Sequence, residues 1–518
     1  MNAAPSTPWL DRLLAGLFAL ALVLPALFLK PDLEAAAGEK RTLAPAPSLP
    51  RDAKALAAFP EAFDAWFADH FGFRSSLIKA HARFSFFALH TSPSPKVFRG
   101  RDGFVFLKGT PAEDGDPIAD LRGTAPLSPY ELERWRWQLE DQHAWLRDRG
   151  IGFLYAVIPG KERMNRAHLP AGYAPVNPGA YDQFVAHIAP RATYPFVPLE
   201  PTLAAAAPHS LLYRKTDTHW NDAGAWAAAF ALTDTLRLLA PVVPRITPAD
   251  LSFRVVDYRE GDMGNMLGLP GETFERLVEI RRTASELTVF PLTDHPLGDI
   301  VTTTPDERRP RAVLFHDSFG HYLKPWFGEY FRWLRFRWSN AGIDTSVIAA
   351  SEPEWVIHLM AERRIRMGQR YEMSVQQHGN RDRFHRATTT AASWNPSSGF
   401  DALATAPDVT AATTPDGFTL TGQRRAPAFT LPLPDATTNH LPVLRIEATV
   451  ETASELMLGW TGRDGNPVRD VKGPLPAGRH SVYLPLLDPD ASGPLHLELV
   501  RGAGAFTIHD LSIRLIAR

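Results

Sequence analysis

The residues with the clearest capacity for chemistry stand in Lys215-Thr216-Asp217-Thr218-His219-Trp220-Asn221-Asp222. In an extended segment, side chains two positions apart point to the same side. Asp217 and His219 then face one cleft, an acid beside an imidazole. Downstream, Val313-Leu314-Phe315-His316-Asp317-Ser318-Phe319-Gly320 sets a serine at the end of an apolar run. A serine hydroxyl is a poor nucleophile at neutral pH. It needs an imidazole to take its proton and an acid to fix the tautomer of that imidazole. Each residue also has a purely structural reading. Asp217 could cap a backbone with His219 incidental, and Asp317 or Ser318 could simply cap a helix. Asp and His are zinc ligands too, but no third ligand stands at a diagnostic spacing, so neither a metal nor another cofactor is expected.

The elements that must position these residues follow from the pattern. Ile151 to Ile158 and Arg311 to Phe315 are nearly unbroken apolar runs, as in strands of a parallel sheet covered on both faces. Phe196 to Leu199 is a weaker strand. Ser128, Pro129 and Glu131 form the start of a helix that Gly150 stops. Asn221 or Asp222 can cap a helix through Leu239, and His321 to Arg332 reads as another. Strands alternating with helices imply an α/β fold whose sites lie beyond the carboxyl ends of the strands, which is where Ser318 falls. Upstream, residues 55–90 read as helical with an interruption at 69–74, and Val97 to Leu107 reads as a hairpin with Arg101-Asp102-Gly103 in its turn. After Trp394 the pattern changes to alternating runs separated by Gly and Pro turns, a β-sandwich signature.

A chain of 518 residues is too long for one ordinary core. The expected division is an N-terminal segment 1–30, a linker 31–54, an α/β domain 55–394 and a β-sandwich 395–518. A formal net charge of −2 gives no reason to expect nucleic acid as a partner. The absence of cysteine excludes thiol nucleophiles and disulfides. Leu13 to Leu29 carries no charge and is close to the lower length limit for a membrane-spanning helix. It reads as an uncleaved anchor in preference to a signal peptide removed after Ala35-Ala36-Ala37. Either way, the remainder of the chain would lie across the membrane.

Asp-Thr-His-Trp followed by Asp-Ser-Phe after an apolar strand resembles the alginate O-acetyltransferases of the AlgJ/AlgX type, in the SGNH-hydrolase-like superfamily. Phe71-Gly72-Phe73-Arg74, Gly100 to Phe106, Pro159 to Arg163 through Leu169-Pro170, Gly261 to Met266 and Ala361-Glu362-Arg363 extend the similarity over roughly residues 55–370. The resemblance implies that Ser318 carries the acyl group, His219 acts as base and then acid, and Asp217 orients His219. It implies acetyl transfer to hydroxyls of an exopolysaccharide, alginate or another, by a domain that faces the periplasm from the inner membrane, with a membrane-bound acyltransferase partner supplying the acetyl group. The acid-histidine-serine order agrees with the permuted arrangement of that family and not with an α/β-hydrolase. One departure is His316, where the superfamily commonly has glycine. It leaves the oxyanion donors open: the Ser318 N–H comes first and Asn265 second. Lys161, Arg163, Trp220 and Arg363 are candidate substrate contacts. The Arg332-Trp333-Arg335-Arg337-Trp338 cluster reads better as a helix end entering a strand. Trp460 and Tyr483 could form a sugar platform in the C-terminal domain, but core packing is the better reading for each. Two other functions share these features: a carbohydrate esterase with the same three residues, and a non-catalytic glycan-binding or assembly protein.

Overall fold

The computed structural model describes residues 8–31, 42–109, 116–240, 242–259, 261–293, 298–340, 342–368, 372–407, 409–422, 427–434, 440–462, 464–500 and 505–517. The chain groups into two compact units. One comprises residues 1–108, 215–218 and 257–275, and the other holds the rest.

The larger unit is built on a seven-stranded sheet. Its strand order is Phe196–Pro198, Gly152–Ile158, Trp355–Ala361, Arg311–His316, Trp333–Trp338, Ile300–Thr303 and Thr288–Pro291. The first five run parallel and the last two pair antiparallel. The apolar runs are continuous because both faces are covered. Phe153, Tyr155 and Val157 enter one core, and Leu154, Ala156 and Ile158 enter the other. Helix Pro129–Arg147 lines the first core. It starts in a complete capping box between Ser128 and Glu131. Helix Asp222–Leu239 lines the second, its N-terminus capped by the Asn221 side chain. The helix expected over 321–332 is replaced by short turns, Ser318–Leu323, Lys324–Phe327 and Gly328–Tyr330. Pro325 lacks the N–H that a longer helix would need there.

The same unit continues into a sandwich of two antiparallel sheets around one apolar core. Trp460 is buried in that core, its Nε1 donating to Asp488 Oδ2 at 2.7 Å, and Tyr483 is buried too. Core packing is therefore the role of both rings. Strand Gly478–Pro485 ends one sheet. Gln377, from helix Met373–Arg386, pairs with it as a strand would. Its Nε2 donates to the Tyr483 carbonyl and its Oε1 accepts from the Tyr483 N–H, both at 2.9 Å.

In the smaller unit, helices Ala53–His70 and Arg74–Arg83 follow the expected interruption, and Val97–Arg99 pairs with Val105–Leu107 as a hairpin. Its turn places Asp102 and Gly103 at positive φ, which Gly adopts freely and Asp tolerates. The membrane anchor is a correction. A helix does form at Pro8–Leu27, but it carries Asp11 and Arg12 in its first half and Pro25 near its end. No helix among the described residues is long and apolar enough to cross a membrane. The stretch Ala35-Ala36-Ala37 lies outside the described residues.

Candidate active site

Ser318 follows the carboxyl end of the parallel strand Arg311–His316 and opens the short turn Ser318–Leu323. As the first residue of that turn, its N–H has no acceptor within the turn. Asp317, fully buried, does not face a ligand. Its Oδ1 accepts from the Phe319 N–H at 3.0 Å and its Oδ2 from the Ala361 N–H at 2.8 Å. One carboxylate thus ties the nucleophile turn to the end of the neighbouring strand.

His316 sits directly below the turn, and burial pushes its imidazole down to about 4. Its ring is fully buried, with Nδ1 at 2.7 Å from the Asp317 carbonyl. The place where the superfamily has glycine is filled, and the room is made at Gly320, where an added Cβ would strike the His316 ring. His321 packs edge-on to His316 and is pushed down to about 3 by burial and by the nearby Lys324. Both imidazoles are therefore neutral at physiological pH.

His219 packs against this turn. Its ring lies 4.9 Å from the Phe319 ring and 5.2 Å from the Tyr322 ring, so it is brought to the turn that Ser318 opens. Trp220 is fully buried and holds the same turn, Nε1 donating to the Phe319 carbonyl at 3.2 Å. It positions the nucleophile segment and presents no surface to a substrate. Tyr213 bridges Trp220, and the Arg214 N–H donates to the His219 carbonyl at 3.1 Å, so the segment is a hairpin.

The tip of that hairpin, 215–218, belongs to the smaller unit. There Asp217 is buried, and its Oδ2 accepts from the Tyr258 hydroxyl at 2.8 Å and the Asp262 N–H at 3.3 Å. Asp262 in turn accepts from the Thr218 N–H and hydroxyl, and Glu275 accepts from the Lys215 and Thr216 N–H groups. Gly261 lies against Thr216 so closely that a Cβ would collide with its carbonyl. None of Tyr258, Asp262 or Glu275 was singled out by sequence reasoning, although the Gly261–Met266 stretch was.

The remaining candidates divide. Arg363 Nη2 donates to Ser318 Oγ at 3.2 Å. Arg163 does not reach out to a ligand: its guanidinium is buried between Glu362, Asp182 and Glu200, with Nε 3.1 Å from Glu362 Oε2 and Nη1 2.8 Å from Asp182 Oδ1. Glu362 also accepts from the Gly160 N–H at 2.6 Å, and its burial pushes its carboxyl up to about 7. Lys161 is 2% exposed. The strand-end position suggested contact with solvent, but burial overrides it for both. Asn265 is exposed on the short helix Asp262–Met266 of the smaller unit. Arg335 and Arg337 lie within a strand and share Asp299.

Residues 124–291 match a family described as an SGNH hydrolase-like domain of the acetyltransferase AlgX. Asp217 and His219 fall inside that match and Ser318 beyond it. Among solved structures, the O-acetyltransferase domain of Pseudomonas putida AlgJ is 17% identical, covers 55% of this chain and 99% of its own, and has a TM-score of 0.39. Pseudomonas aeruginosa AlgX is 16% identical, with 81% and 94% covered and a TM-score of 0.35. Bacillus cereus PatB1 is 15% identical, with 46% and 92% covered and a TM-score of 0.37. No curated protein sequence matches this chain. Residues 124–291 are thus similar to the SGNH hydrolase-like domain of AlgX-type acetyltransferases.

Proposed function

We propose that this protein is a polysaccharide O-acetyltransferase that works through an acetyl group carried on Ser318. The observation that carries the reading is the packing of the His219 ring on Phe319 and Tyr322, around a serine at the end of a parallel strand. His219 takes the Ser318 proton as Oγ attacks the acetyl carbonyl carbon. The bond to the donor's leaving group then breaks, and that group departs with the proton. A sugar hydroxyl next gives its proton to His219 and attacks the acetyl-serine, and Ser318 leaves with that proton. Asp217 fixes the orientation of the imidazole. The acceptor is an exopolysaccharide on the periplasmic side, and a membrane-bound acyltransferase partner supplies the donor.

The test is capture of acetyl-enzyme from a neutral activated acetyl ester, followed by addition of oligosaccharide. Wild type is expected to carry one acetyl group on Ser318 and to pass it to sugar, whereas Ser318→Ala carries none. Equal labelling of the two proteins refutes the assignment. Release of free acetate with no acetylated sugar, across a panel of acceptors, would make the protein an esterase.

A further inference from the structure

Several arginines around this site are held by carboxylates, and among the described residues Arg363 is not. Arg163 is held by Glu362, Asp182 and Glu200, Arg366 by Asp120, and Arg335 and Arg337 by Asp299. No carboxylate pairs with Arg363 among the described residues, and its one hydrogen-bond partner there is Ser318 Oγ, at 3.2 Å. Its Nε is buried without a partner. A half-buried guanidinium is a permanent cation, and leaving it beside a neutral hydroxyl forgoes the charge pairing its neighbours have.

The placement is rigid. Arg363 lies in the single turn Glu362–Arg364 after strand Trp355–Ala361, which pairs in parallel with the strand leading to Ser318. Asp317 bonds the last residue of that strand, and Glu362 is fixed by Gly160 and Arg163. The two residues that precede Arg363 are thus anchored, and the cation is aimed before any substrate arrives.

From this geometry we infer that Arg363 is the side-chain oxyanion donor of the site, an inference that rests on the Ser318 reading above. When Oγ attacks, the carbonyl π pair moves to the acetyl oxygen and makes a negative charge one bond from the attacked carbon. A donor already on Oγ is next to that oxygen. The Ser318 N–H and an Arg363 N–H receive the charge, which collapses as the leaving group departs with the proton from His219. The cation meets its matching charge only in the transition state and intermediate, so the interaction favours those states over the resting enzyme. Because the same tetrahedral centre recurs when sugar attacks the acetyl-serine, both half-reactions depend on it.

Single-turnover acetylation of the full chain by 4-nitrophenyl acetate, a neutral ester, separates this role from binding of an acidic sugar. Arg363→Ala is expected to lower the acetylation rate constant by about 100-fold or more, with KM little changed. Arg363→Lys should recover part of the rate, and added guanidinium ion should accelerate Arg363→Ala but not wild type. Thermal melting of each variant reports whether the fold is kept. Acetylation of Arg363→Ala at the wild-type rate, with loss confined to transfer onto an acidic oligosaccharide, overturns the inference and makes Arg363 an acceptor anchor. A slow Arg363→Ala that neither lysine nor guanidinium improves also overturns it, since that behaviour belongs to a packing role. A wild type that forms no acetyl-Ser318 removes the serine reading itself, which the first measurement distinguishes.

Discussion

Replacing Gly320 with alanine should damage the nucleophile turn, and the damage should depend on His316. The glycine has no positive φ, so its backbone suits any residue. The obstacle is space: a Cβ would fall within 3.0 Å of His316 Cβ, Cγ and Nδ1. Overpacking of this kind costs about 1–3 kcal/mol. The buried ring can yield only by giving up the Nδ1 contact with the Asp317 carbonyl, which adds about 1 kcal/mol. A total of roughly 2–4 kcal/mol corresponds to a fall in Tm on the order of 2–5 °C for a unit of this size. Acetylation should fall as well, because Ser318 lies two residues away in the same turn. The assay is a cycle of Gly320→Ala, His316→Gly and the double variant, followed by thermal melting and by acetyl-enzyme formation. The double variant should recover most of what Gly320→Ala loses, measured against His316→Gly alone. If alanine costs the same in both backgrounds to within about 0.5 kcal/mol, the two positions are independent and the reasoning fails.

Two further outcomes are expected. Gly261→Ala would drive a methyl into the Thr216 carbonyl at the hairpin tip, so it should cut acetyl transfer sharply while the α/β sheet still melts cooperatively; unchanged activity would show that the tip tolerates displacement. His358 is fully buried with neither ring nitrogen bonded, and burial pushes it down to about 3. Because its folded value lies below the unfolded one, the stability it contributes is complete above about pH 6.5 and is lost as pH falls toward 3, roughly 2 kcal/mol by pH 5. His358→Phe should therefore narrow the Tm difference between pH 7.5 and pH 5, and an unchanged difference would show that the imidazole opens to solvent on protonation.

Local physics made part of this site readable in the sequence. The period-two spacing of Asp217 and His219, the apolar strand before Ser318 and the Ser128–Glu131 capping box depend on neighbours a few residues away. The partners of Asp217 do not. Tyr258 ends the strand Leu251–Tyr258 and Asp262 opens the helix Asp262–Met266, some forty residues downstream, and only the fold brings them to the hairpin tip. Arg163 misled for the same reason. A strand-end arginine resembles a ligand contact until Glu362, Asp182 and Glu200 arrive from three other segments to bury its charge. The apolar run at 13–29 was legible as a helix, but a short unbroken run flanked by Asp11 and Arg12 and containing Pro25 does not give a helix able to span a membrane.

The amide of Gln377 also bears on how copies of the chain meet one another. A bare outermost strand offers its N–H and C=O groups to any extended segment that drifts alongside, and sheets grow or aggregate through such borders. Here the donor and acceptor at Tyr483 are already engaged by a side chain from a helix. An incoming strand would have to displace that amide at the middle of the border, so the sandwich is closed to extension on that side.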